Sequence, residues 1–204
     1  MPTISTYRQA SVAAVTVLMS YIVVAVSTAQ SDPAQIAQRL DLPSIPEANA
    51  ATVEYFLKVE GIKGESNDDG HEGEIEVISF RWGLSSEVSI GDVGKADFQD
   101  LSVAKVQDKS STKLFLASAS AKIIDKITLT GIRTDLGGEH FLKIELRKAI
   151  ISSFEEAGVD GELPMENITL NYQTIVFEYR PANPDGTLGP TFKDGWDVVD
   201  DKEV

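Results

Sequence analysis

The sequence predicts a mainly β fold with a single α-helix, preceded by an N-terminal hydrophobic segment. Three observations carry this. From Val53 onward, apolar and polar residues alternate in short runs separated by glycine, proline and acidic turns, which is the period of strands. Only Ser111 to Ala121 keeps a compact helical pattern. Upstream, residues 9–31 carry no charged side chain, and Val12 to Val26 is dense in Val, Ala, Leu, Met and Ile.

Composition narrows the function classes. A chain of 204 residues accommodates one core domain of about 150 residues plus an appendage. Lys and Arg number 18 against 32 Asp and Glu, a formal net charge of -14, so phosphate backbones and anionic lipid surfaces are repelled and nucleic acid is excluded as a partner. The chain has no cysteine, which removes disulfides, thiolate metal sites and cysteine nucleophiles. Two histidines restrict metal and acid-base chemistry further.

Four regions follow: a signal-peptide-like or membrane-anchoring segment at 1–29, a linker at 30–52, a folded domain at 53–199 and an acidic tail at 200–204, expected to fray. Three readings fit the first. Arg8 and the amino terminus form a weak positive n-region, and Ser27-Thr28-Ala29 supplies small residues before a cleavage at Gln30, as in a secretory signal. An uncleaved anchor is the second reading, since about 20 uncharged residues just span a bilayer. A start site farther downstream is the third. The linker holds three prolines and no aromatic residue, too little to build a core.

The folded domain opens with Tyr55-Phe56-Leu57-Lys58-Val59-Glu60, an alternating strand ending at Gly61. Gly61 and Gly64 then turn the chain into a polar loop, Glu65 to Gly73. Glu74 to Trp82 is a second strand with apolar groups on both faces, as if one met the core and the other a second subunit or a covering element. Gly83 to Ala96 reads as a long loop engaged in binding. Phe98 to Val106 is a third strand. Asp108-Lys109-Ser110-Ser111 offers capping hydroxyls to the helix. Ile123 to Arg133 and His140 to Ile151 form strands around a Gly137-Gly138 turn, the latter with Leu142, Ile144 and Leu146 facing one way and Lys143, Glu145 and Arg147 the other. Gly158 to Pro164 is a loop. In the long strand Asn167 to Tyr179 the apolar phase switches from Ile168, Leu170 and Tyr172 to Ile175, Phe177 and Tyr179, predicting a β-bulge near Gln173 or Thr174. Gly195 to Val199 closes the fold.

Candidate sites resolve to structural roles, and the reading assigns no catalytic, cofactor-binding or metal-ligating residue. His71 lies near Asp68, Asp69, Glu72 and Glu74, but the oxygen spacing misses a calcium loop and the cluster reads as a solvated acidic turn. His140 reads as a strand-edge residue. Gly61 and Gly64 lack the Walker pattern, and no serine sits in a nucleophile elbow. Asn167-Ile168-Thr169 fits a glycosylation sequon at a strand start and reads as structural. Trp196 beside Asp197 reads as a core anchor.

The strand before Gly61-Ile62-Lys63-Gly64-Glu65-Ser66, His71 and the Glu74-Ile75-Glu76-Val77 strand resemble the opening of the haemolysin-coregulated protein (Hcp) family, the tube subunits of bacterial type VI secretion. The resemblance continues in order through Trp82-Gly83, Asp100-Leu101-Ser102, Asp108-Lys109-Ser110-Ser111 with Leu114, Glu166 to Asn171, Tyr179 with Pro181, Asp185-Gly186 and Gly195-Trp196-Asp197, covering roughly Val53 to Val199. The family's proline after the first helical hydroxyl is missing at Ser111-Thr112, and the segment before Val53 is additional. The resemblance implies a compact β-barrel of two packed antiparallel sheets with one α-helix. It implies a non-enzymatic, secreted tube subunit that forms homo-hexameric rings, stacks them, and meets effectors, spike and sheath proteins of the apparatus. The second strand is then a candidate for ring contacts and Gly83 to Ala96 for stacking. The alternative is an exported periplasmic or surface binding module with the same fold. Membrane contact follows only if the N-terminal segment stays uncleaved.

Overall fold

The structure, a computed structural model, describes residues 52–89 and 92–204; the hydrophobic segment at 1–29 and the linker through residue 51 lie outside the described residues. The elements run β1 Val53–Val59, β2 Ile75–Val77, β3 Ser79–Arg81, β4 Leu84–Ser89, β5 Asp92–Phe98, β6 Leu101–Val106, α1 Ser111–Ala119, β7 Ile124–Arg133, β8 His140–Ala157, β9 Met165–Asn171, β10 Thr174–Tyr179, β11 Phe192–Asp197 and β12 Lys202–Glu203. A first antiparallel sheet has the order β12-β11-β10-β8-β7-β1-β2. A second is built from β3, β6 and β9, with β9 paired to the far half of β8. Among the described residues this is the expected mainly β architecture of two sheets with one α-helix.

Three passages of chain cross between the sheets, and each explains a sequence signal read differently above. The strand expected over Glu74 to Trp82 is two strands: β2 pairs with β1 in the first sheet, and β3 pairs with β6 in the second. Its inward residues change phase at Ile78, from Ile75 and Val77 to Phe80 and Trp82, and this change is what gives it apolar groups on both faces. The bulge expected near Gln173 is a full break, with β9 in the second sheet and β10 in the first. β8 runs on past Ile151 to Ala157 and bends at Lys148, whose φ is +50°, so its inward phase passes from Leu142, Ile144 and Leu146 to Ala149 and Ile151. Strands that switch sheets in this way make the corners of orthogonal packings.

The core lies between the sheets. Leu57, Ile75, Leu101, Leu129, Ile144, Leu146, Ile168 and Leu170 are fully buried, and each contributes about 1.5–3 kcal/mol. Tyr55 meets Phe80 edge to face at 5.1 Å across the corner. Helix α1 buries Ser111, Leu114 and Ala117, and Ser118 Oγ donates to the Ile151 carbonyl, so the helix lies along β8 and covers part of its second half.

Other expectations give way. The stretch Gly83 to Ala96 holds β4 and the start of β5, a hairpin that forms its own two-stranded sheet, and the third strand begins at Leu101 because β5 ends at Phe98. No side chain caps the helix: Ser111 Oγ instead accepts from the Asp108 N–H, and the Asp108 carboxylate accepts from the Ser110 N–H. The acidic tail is not frayed. β12 pairs with β11, and Asp197 holds the turn before it by accepting from the N–H groups of Val199 and Asp200.

Candidate functional site

The first candidate is the solvent face of the first sheet, where β1, β7 and β8 send out Lys58, Lys126, Thr128, Thr130, Lys143 and Glu145 between buried neighbours. The loop after Gly61 and the turn at Gly138 rise at its sides and leave a groove of about 1100 Å³. The loop folds back because Gly64 donates to Gly73, Gly73 to Ser66 and Ser66 to Glu74 through backbone hydrogen bonds of 2.8–3.1 Å. Gly61 turns with φ +79°. Gly64 does not have positive φ; a β-carbon there would collide with the Glu74 carbonyl, so it is needed for close approach.

Both histidines line this groove. His71 is not solvated: its ring stacks on Phe56 with centroids 4.3 Å apart and planes 7° apart, and Nδ1 lies 2.9 Å from Glu74 Oε2. Lys58 Nζ donates to the other oxygen of Glu74 at 3.2 Å. Asp68, Asp69 and Glu72 remain exposed. His140 Nε2 lies 2.9 Å from Glu178 Oε1, and this contact, against some burial, holds the Glu178 carboxyl below its ordinary pKa with help from Lys143 and Lys193. Burial pushes the Glu145 carboxyl up, but Lys126 at 2.6 Å and Arg147 at 2.8 Å outweigh it and leave its pKa low. The outcome is a polar face of fixed ion pairs.

The second candidate is the β4–β5 hairpin. Its root is pinned by Trp82 Nε1 donating to the Tyr172 hydroxyl at 2.6 Å, by that hydroxyl donating to the Gln99 carbonyl at 2.9 Å, and by Gln99 N–H donating to Gly83 at 3.0 Å. Burial pushes the Tyr172 phenol up, keeping it a donor. The hairpin thus stands outside both sheets on a fixed root.

A third feature was missed from the sequence. Lys105 and Glu166 face each other across β6 and β9, and both are about 1% exposed. Lys105 Nζ lies 2.7 Å from Glu166 Oε2, 2.8 Å from Asp108 Oδ1 and 3.3 Å from Ser111 Oγ. Burial raises the Asp108 carboxyl, yet bonds from Lys105 and Ser110 outweigh it and hold its pKa low. The cluster ties the helix start to both strands. The signal was legible, because Lys105 shares the inward phase of Leu101 and Val103, and Glu166 that of Ile168 and Leu170.

The remaining candidates separate. Asn167 is an exposed residue of β9, paired in register with Ala104 and Glu155. Trp196 packs partly on the core beside Ile175, and Asp197 serves the terminal turn.

Comparison with known proteins places this scaffold. The family model described as "Type VI secretion system effector, Hcp" matches residues 56–179. The chain is 38% identical over 156 residues to "Protein hcp1" of Pseudomonas aeruginosa, an alignment covering 72% of this chain and 95% of that protein. Among solved structures, a "type six secretion system protein" superposes with TM-score 0.72 at 26% identity, covering 75% of this chain and all of that one. Hcp1 from Salmonella typhimurium superposes with TM-score 0.63 at 31% identity, covering 74% and 99%. The strands and corner crossings described above are therefore those of a known scaffold, and the chain belongs to the Hcp family of type VI secretion proteins.

Proposed function

We propose that this protein is a non-enzymatic structural tube subunit of a bacterial type VI secretion apparatus, forming hexameric rings that stack and carry effectors, and leaving the cell with them. The observation that carries the reading is that the family match runs from within β1 to the end of β10, taking in all of the second sheet and all of the first except β11 and β12. The pinned β4–β5 hairpin supports stacking, since it stands outside both sheets at a fixed root. Effectors, spike and sheath proteins are the partners this role requires. Negative-stain microscopy of the purified full chain tests it: rings about six subunits in circumference are expected, and a chain that stays monomeric at high concentration overturns it.

A second reading rests on residues 9–31, which carry no charge. On that reading residues 1–29 are an export signal or anchor, 30–52 a linker, and 53–199 a domain working in the periplasm or at the surface. N-terminal sequencing of the cellular protein separates the two, a start at Gln30 supporting export.

A further inference from the structure

Two apolar patches stay on the surface of the folded domain, at opposite ends of β8. The first belongs to β10 and β11. Phe192 and Tyr179 share a register row with buried Leu142, and Phe177 shares one with buried Ile144, so all three point to the core side of the first sheet. They nevertheless remain 41–59% exposed. Trp82 stacks beside Phe177 at 6.3 Å. The second belongs to the helix region, where Phe115, Leu116 and Ile123 are 57–63% exposed. Phe115 meets Phe154 near the far end of β8 edge to face at 6.1 Å.

Charge decides which patch meets which. In a chain of net charge -14, residues 109–124 hold three lysines and no acid, and the acids at the borders, Asp108 and Asp125, are paired with Lys105 and Lys148. Of residues 177–204, Glu178 and Lys193 turn to the groove face, which leaves six acidic and two basic side chains, with Asp194 in the row of Phe177 itself. Each patch therefore repels a copy of itself and attracts the other. A contact between two different patches of identical chains is heterologous, the kind that closes rings, whereas a self-complementary patch would stop at a dimer. Exposed aromatic anchors with a charged surround also match the anatomy of specific interfaces.

We propose that the α1 region of one copy, through Phe115, Leu116 and Ile123, docks on the Phe177, Tyr179 and Phe192 patch of the next copy. This assignment rests on the ring reading above and names its surfaces. The test uses the full chain with Phe115→Asp and Phe192→Asp, read by sedimentation velocity, with circular dichroism to confirm folding. Each variant alone should lose about 30-fold or more in self-association and sediment as a monomer. An equimolar mixture should form a one-to-one dimer that grows no further, because each partner keeps one intact face. If either aspartate variant is unfolded, Phe115→Ala and Phe192→Ala replace them. A wild-type chain that assembles alongside variants that also assemble, or a mixture that stays monomeric, overturns this assignment alone. A wild-type chain that never assembles overturns the ring reading as well.

Discussion

The buried cluster around Lys105 and the groove on the outer face of the first sheet use the same chemistry, lysine against carboxylate, with opposite consequences. Lys105 and Glu166 have left water entirely, so each charge depends on the other and on Asp108. Lys126, Glu145 and Arg147 keep solvent contact, so water can replace any partner. The comparison teaches that an ion pair's role is set by what solvates it when the partner is gone. Buried, it locks helix and strands in one arrangement; exposed, it shapes a surface at little energetic consequence.

The sharpest way to break this comparison is Glu166→Ala. It leaves Lys105 buried with only Asp108 and the Ser111 hydroxyl and should cost about 3–5 kcal/mol in denaturant unfolding. The paired replacement Lys105→Met with Glu166→Leu should recover part of that loss, because the fully buried pair is gone and Asp108, which loses Lys105, keeps the Ser110 N–H as a donor. A double variant as unstable as the single one would show that the ions themselves are required.

Gly64→Ala tests the groove's wall. The added methyl meets the Glu74 backbone, which cannot yield without moving the His71 and Phe56 stack. A loss of about 1–3 kcal/mol is expected, as for an over-packed site, read as a lowered Tm.

Acid should separate the regions further. Asp108, Glu145 and Glu178 all have folded pKa values below their ordinary range. Such a carboxylate contributes its stabilisation in full above its unfolded pKa, about 4, and loses it as pH falls through the lower folded value. Glu178→Gln should therefore be less stable than the parent at neutral pH, with the difference closing below about pH 4. Added salt should shrink that difference, but should hardly alter the cost of Glu166→Ala. Unfolding curves at pH 3 and pH 7 in low and high salt give all four values. The smallest effect belongs to Arg147→Ala, where about 0–1 kcal/mol is expected because Lys126 still holds Glu145.

Much of the scaffold was legible because strand alternation is a local property. Leu142, Ile144 and Leu146 against Lys143, Glu145 and Arg147 showed a wall with one buried and one polar face, and the structure has that wall. The ordered motifs from the first strand to Trp196 pointed to the family. The helix at Ser111 was visible from its spacing. The candidate surfaces were less legible. His71 was read as solvated because nothing local says that Phe56, on another element, will lie flat against its ring. The hairpin at Leu84 was hidden because its strands lack the alternation that a buried face imposes.

Residue type and near neighbours were enough to fix the mainly β class, the helix at Ser111, the absence of cysteine chemistry and the change of inward phase near Gln173. Only the tertiary structure decided what a phase change means. At Ile78, Lys148 and Tyr172-Gln173 the same signal marks chain crossing from one sheet to the other, because a residue's inward side is defined by the sheet it joins. The same applies to Lys105 and Glu166. Each was visibly in an inward position, but that they stand opposite each other is fixed by the pairing of β6 with β9, across a sequence separation of 61.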